Sequence, residues 1–223
     1  MTRAIIFDFD GLILDTESAD FLAWQEIYQA HGCDLSFSTW AQGVGVSPEM
    51  FDLRDYLESQ TRRTVDREEI YARHRRRWTE LSEAQPILPG VVDCIAGAKQ
   101  RGLQLGLASS GRRGWVVGHL SRLGLEPDFD CIKCLEDVST AKPEPELYLS
   151  VLSEMGVVPG QAIALEDSPS GILAAKRAGL YCVVVPNPTM TRHLPLDQAD
   201  LRLDSLADLP LESLLAKAGS SLR

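Results

Sequence analysis

The chain has 223 residues, 44% apolar and 24% charged, with a formal net charge of −10. That is the composition of a globular chain with a core, long enough for one large domain or for one domain carrying a smaller inserted one, and its acidity argues against a nucleic-acid partner, which needs a basic face, but not against a small anionic substrate met by a local positive cluster. No apolar stretch approaches the roughly 18 residues of a membrane span, Ala4–Phe7 is too short for a signal-peptide core, and five scattered cysteines read as reduced thiols, so a cytoplasmic protein without a membrane partner is expected.

The apolar run Ala4 to Phe7 predicts a strand over 3–8 that ends on Asp8, with Asp10 and Gly11 following. From Glu17 to about Ser82 the pattern is helical. Phe21, Trp24, Ile27 and Tyr28 recur at helical spacing before Gly32; a second helix is expected over Met50–Leu57; Asp66-x-x-Glu69 resembles a capping box opening a third. Trp24 and Trp40 read as core of this segment, and the run Arg73, Arg75, Arg76, Arg77 as a solvated face.

After Pro86–Gly90 the pattern alternates. Helix 91–101 precedes strand 103–109, helix 113–123 strand 130–133, helix 144–155 strand 161–167, helix 169–178 strand 181–186, and a last strand near 201–203 is followed by helix 205–216. Cys131-Ile-Lys-Cys134 lacks a second pair, and Cys131 is read as part of the short strand. The alternation predicts an α/β core, a Rossmann-like parallel sheet with helices on both faces, spanning 1–15 and 87–223, with an all-helical cap of residues 16–86 inserted after the first strand.

In open α/β sheets, ligands bind at the carboxyl ends of the strands. Those ends carry Asp8 and Asp10, Ser109 and Ser110, and Glu166 and Asp167, with Lys142 in the loop after the third strand. An oxygen-only set of this kind suits Mg²⁺, and no His/Cys cluster suits zinc. A carboxylate beside Mg²⁺ with a lysine and a hydroxyl can attack phosphorus. Of Asp8 and Asp10, one can stay ionised as nucleophile while the other, held protonated by its neighbour's charge, donates to the leaving oxygen.

Four stretches carry a family resemblance: Asp8-Phe9-Asp10-Gly11 running on to Asp15-Thr16-Glu17; Leu107-Ala108-Ser109-Ser110; Ala141-Lys142-Pro143-Glu144-Pro145-Glu146; and Leu165-Glu166-Asp167-Ser168-Pro169-Ser170-Gly171. In this order they are similar to the haloacid dehalogenase superfamily, in the subgroup with a helical cap that contains β-phosphoglucomutase and many sugar-phosphate phosphatases. The resemblance implies Asp8 as the nucleophile that forms an aspartyl phosphate and Asp10 as general acid and then base. It also implies Ser109 and Lys142 as further catalytic groups. Mg²⁺ would be held by Asp8, the Asp10 backbone carbonyl, Asp167 and Glu166, the last directly or through water. Ser110, Arg113, Gly43 and Gly45 are expected to contact the substrate.

True haloacid dehalogenases lack the second acid, and phosphonoacetaldehyde hydrolase uses a cap lysine, whereas residues 16–90 contain none. β-Phosphoglucomutase carries a histidine where Asp20 stands and an arginine near Pro48, so a phosphatase acting on a small phosphorylated metabolite, a sugar phosphate, is favoured over a mutase. A phosphoacceptor signalling domain needs neither a cap nor a second acid, and a silent binding protein is expected to lack at least one of the four motifs. A monomer or weak dimer is expected.

Overall fold

The structure, a computed structural model, describes residues 1–43, 51–187 and 194–221. The chain divides into two compact units, Thr16–Gln85, and Met1–Asp15 together with Pro86–Arg223.

The Thr16–Gln85 unit is helical: α1 (Thr16–Ala30), α2 (Phe37–Trp40), α3 (Leu53–Thr61) and α4 (Arg67–Glu83). Ala19, Ala23 and Ile27 form a buried stripe at four-residue spacing along α1, which packs on α4. Trp24, half-buried, stacks on His74 with ring centroids 4.4 Å apart. Buried Trp40 donates its indole N–H to Asp20 Oδ2 at 2.6 Å, and Asp20 Oδ1 lies 2.9 Å from His74 Nε2. Tyr28 ties α1 to α3 by donating to Leu53 O at 2.5 Å. Asp66 caps α4, accepting from Glu68 and Glu69 N–H at 3.1 and 3.0 Å. Arg73, Arg75 and Arg76 are exposed, while Arg77 forks onto Glu26 at 2.9–3.1 Å. The helix expected from Met50 begins at Leu53, because Asp52 is extended and caps it by accepting from Arg54 N–H at 2.7 Å; Met50 lies outside the described residues.

The other unit is built on one parallel sheet. Its strands are β1 (Ala4–Phe7), β2 (Gln104–Ala108), β3 (Cys131–Lys133), β4 (Ala162–Glu166), β5 (Tyr181–Val184) and β6 (Leu201–Arg202), in the order β3-β2-β1-β4-β5-β6. Its helices are α5 (Val91–Gln100), α6 (Arg113–Leu123), α7 (Glu146–Met155), α8 (Pro169–Arg177) and α9 (Leu211–Ser221). The α/β alternation read from the sequence is thus the fold. Successive residues of a strand face opposite sides, and β1 buries both. Ile5 and Phe7 join Val91, Ile95, Val116, Leu120 and Leu214 in one core layer. Ala4 and Ile6 join Leu147, Tyr148, Val151, Ile172 and Ala175 in the other.

The last expected helix is corrected. Ser205 caps a 3₁₀ turn over Leu206–Asp208, accepting from Ala207 N–H at 3.1 Å, and the chain extends again at Leu209. Helix α9 begins only after Pro210, whose ring fits the start of a helix but not its interior. Among the described residues no helix is long and apolar enough to cross a membrane.

Candidate active site

The sheet grows outward in both directions from β1 and β4, so the switch point of the topology lies between them. Their register pairs Phe7 with Leu165, which sets Asp8 beside Glu166 and Asp167 at the strand ends. Asp8, Glu166 and Asp167 are 7%, 0% and 3% exposed, and each offers a carboxylate oxygen within 4.8 Å of the other two. Lys142 Nζ lies 2.6 Å from both Asp8 Oδ1 and Glu166 Oε1, with its side chain 4% exposed.

Two of the three buried carboxylates, Asp8 and Glu166, face this ammonium. Burial outweighs the pull of Lys142 at Asp8 and, with repulsion from Glu166 and Asp10, pushes its carboxyl up to about 7. Burial works against the charge of Lys142, but Asp8 and Glu166 overcome it and hold the ammonium above its usual range. Space around the acids is kept by two glycines. A Cβ on Gly11 would sit 2.1 Å from Asp167 Oδ2, and one on Gly171 1.9 Å from Glu166 Oε2. Gly11 also needs φ of +76°, which a side chain disfavours. An oxygen-only, negatively biased cradle of this kind fits a hard divalent cation.

Glu166 is held on both oxygens. Its Oε1 accepts from Lys142 and from Tyr148 Oη, each at 2.6 Å, and its Oε2 from Asp167 N–H at 3.2 Å. The Lys142 loop is held from α7: Glu146 accepts from Ser139 and Thr140 N–H at 3.0 and 2.8 Å, and these bonds keep its carboxyl below the usual range. The N-terminus of α8 is capped by Ser168, whose hydroxyl accepts from Gly171 N–H at 3.2 Å.

Asp10 stands apart from the three-acid set. Its Oδ1 accepts the indole N–H of Trp115 at 2.9 Å. A Cβ on Gly111 would lie 3.1 Å from both Asp10 Oδ2 and Ser109 Oγ, so these two oxygens flank one small space. Ser109 is buried, and its hydroxyl accepts from Gly111 N–H at 2.9 Å. Ser110 is exposed in the same loop. The Arg113 guanidinium is directed to Ile132 O, at 3.1 Å, and to the Asp137 carboxylate, which engages it at the sheet edge. Gly43 closes a 3₁₀ turn in the helical unit, and Gly45 lies outside the described residues.

The structure therefore brings Asp8, Lys142, Glu166 and Asp167 together and puts Asp10 and Ser109 around a neighbouring space. Tyr148, Glu146 and Trp115 were not singled out from the sequence as site residues. The Tyr148 hydroxyl and the Trp115 indole reach the acids only through tertiary packing. Glu146 stood inside a quoted motif, where a carboxylate in the first turn of a helix was the available signal. Cys131 and Cys134 are buried, which pushes their thiols up to about 12 and about 11, so neither is a ready nucleophile.

A doubly wound α/β fold with buried carboxylates and a lysine at its switch point places a set of groups that could hold a metal ion where open α/β sheets bind their ligands. The model of the haloacid dehalogenase-like hydrolases matches residues 5–185, and the chain belongs to that family. The chain is 43% identical to "Putative phosphatase YhcW" of Bacillus subtilis (strain 168) over 96% of its own length and 97% of that protein's. It is 33% identical to hexitol phosphatase B of Escherichia coli (strain K12), over 95% and 96% of the two chains. Among solved structures, β-phosphoglucomutase from Clostridium difficile superposes with a TM-score of 0.77 at 25% identity, covering 100% of this chain and 99% of that one.

Proposed function

We propose that this phosphatase hydrolyses a small phosphorylated metabolite, a sugar or polyol phosphate, with Mg²⁺ and through a phosphoenzyme on Asp8. The observation that carries the reading is the Lys142 ammonium set 2.6 Å from both Asp8 and Glu166, with Asp167 in the same buried group. The likeness to a hexitol phosphatase supports a polyol or sugar phosphate as substrate. With a divalent cation held by the buried acids and with Lys142 beside it, the switch point would carry the positive charge that a small anionic metabolite needs, and the cytoplasm is the proposed location.

Asp8, Asp167 and Glu166 would hold Mg²⁺, which supplies charge neutralisation on the phosphoryl oxygens. Asp8 attacks phosphorus while Lys142 fixes its carboxylate and offsets the substrate's charge. The bond from phosphorus to the substrate oxygen breaks, and Asp10 gives that oxygen a proton. A water then attacks the phosphorylated Asp8, returning its proton to Asp10 and releasing phosphate. Ser109 would donate a hydrogen bond from its hydroxyl to a phosphoryl oxygen throughout.

Transfer of the phosphoryl group back to a second hydroxyl of the same sugar is the alternative fate, supported by the likeness to β-phosphoglucomutase. Against it stands Asp20, whose carboxylate is committed to Trp40 and His74. A screen of sugar and polyol phosphates for phosphate release, with Mg²⁺ and with chelator, tests both readings. Mg²⁺-dependent release by the wild type and none by Asp8→Asn supports hydrolysis. Interconversion of sugar 1- and 6-phosphates without release supports transfer, and release that survives Asp8→Asn overturns the nucleophile.

A further inference from the structure

We propose that Trp115 is a positioning residue for Asp10, fixing which carboxyl oxygen carries the proton delivered to the leaving group. The proposal rests on the phosphatase reading and adds a residue that no motif of that reading contains.

The indole N–H of Trp115 meets Asp10 Oδ1 at 2.9 Å. An indole nitrogen only donates, so Oδ1 must accept and cannot carry a proton toward it. The carbonyl oxygen of a neutral acid is its stronger acceptor, so the indole bond to Oδ1 favours the proton on Oδ2. That is the oxygen beside the space flanked by Ser109 Oγ, both atoms lying 3.1 Å from where a Gly111 Cβ would be. The absent side chain at Gly111 keeps this approach open.

The indole is itself braced. Its ring meets the His119 ring edge-on, centroids 4.2 Å apart at 74°, and His119 lies tilted against Phe9 at 6.0 Å. His119 is buried, and its Nδ1 is 3.4 Å from Arg122 Nη2. A circuit of contacts thus leaves the backbone at Phe9, passes through His119 and Trp115, and returns to the carboxyl of the very next residue. With χ1 and χ2 of Asp10 held in this way, Oδ2 faces one direction at no cost at the moment of reaction. In the first step the Oδ2–H bond breaks and the leaving oxygen gains that proton, as the phosphorus–oxygen bond breaks and the Asp8–phosphorus bond forms. In the second, Oδ2 takes the proton of the attacking water.

The experiment compares Trp115→Phe with wild type in single-turnover release of the leaving alcohol. One substrate is glycerol phosphate, whose alkoxide needs a proton; the other is p-nitrophenyl phosphate, whose phenolate does not. The ratio of the two rates does not depend on the fraction of folded enzyme. The ratio is expected to fall about tenfold or more in Trp115→Phe, the scale of a misaligned general acid, with KM for glycerol phosphate within about twofold. In an Asp10→Asn background the same substitution should leave the ratio where Asp10→Asn alone put it, because the group being positioned is gone. An unchanged ratio in Trp115→Phe, or an equal further fall in the Asp10→Asn background, overturns the proposal. If the wild type shows no Mg²⁺-dependent release from either substrate, the phosphatase reading falls and this role falls with it.

Discussion

Tyr148 and Lys142 share one acceptor: both donate to Oε1 of Glu166 at 2.6 Å, and the ammonium lies 5.0 Å from the centre of the tyrosine ring. A fully buried carboxylate is costly unless each oxygen is satisfied. The pairing thus fixes Glu166 and, through Lys142, the oxygen of Asp8 at the same distance. The neighbouring Glu166, after burial itself, raises the Tyr148 phenol above its ordinary range, so it stays a donor.

Tyr148→Phe removes one donor and keeps the ring. A buried hydrogen bond to a charged group contributes about 1.5–3 kcal/mol, so urea unfolding should show a loss of that size. The ring stays over Lys142, so kcat should fall less than in Lys142→Met, which leaves Asp8 without its ammonium. Equal stability of wild type and Tyr148→Phe would mean that the phenol does not satisfy Glu166.

Gly171→Ala places a methyl where Glu166 Oε2 lies, 1.9 Å away, in a helix whose backbone otherwise accepts alanine readily. The expected outcome is a Mg²⁺ concentration for half-maximal activity raised about tenfold, the usual penalty for displacing a carboxylate at a metal site. Titration of activity against Mg²⁺ reads it. An alanine variant with wild-type Mg²⁺ response would show that Glu166 is free to move aside.

Asp52 gives a pH dependence whose sign follows from its partners. The Arg54 guanidinium, bonded at 2.6–3.1 Å, outweighs partial burial and holds the Asp52 carboxyl below its ordinary value. A depressed acid stabilises the fold fully above its unfolded pKa of about 3.9, and that contribution is lost as pH falls through the lower folded value. Asp52→Ala also removes the cap of α3. It should cost about 1 kcal/mol at pH 7, and the gap to wild type should close below about pH 4. Urea midpoints measured from pH 3 to 7 test this; a gap independent of pH would assign the effect to packing alone.

The parallel core was legible because its strands are buried on both faces. Ala4–Phe7 is an unbroken apolar run closed by an acid, and Gly124 and Gly156 end α6 and α7 in the left-handed conformation that punctuates helices. The acids at strand ends were legible because all strands of a parallel sheet end on one edge, where ligands bind; which of those ends are neighbours was not, since the strand order is not the chain order. The four-residue α2 is too short to show a period and rests on the cap of Ser36 and the packing of Trp40. The engagement of Arg113 with Asp137 and of Trp115 with Asp10 depends on how the first turn of α6 meets two different strands' loops. Spacing along one helix cannot report that.

The register of Phe7 with Leu165 has a further consequence. The first strand of the chain finds one of its two neighbours only after β4 has been made, so the pairing is among the most non-local in the sheet. Until β4 is in place, neither Glu166 nor Asp167 can stand beside Asp8, because they lie at the end of that strand and just past it. If Asp8 is the proposed nucleophile, its surroundings are completed only by the pairing of the two strands farthest apart in sequence among neighbours of the sheet. Under the proposed mechanism, a sheet without β4 would offer Lys142 to Asp8 but neither of the two carboxylates that complete the group.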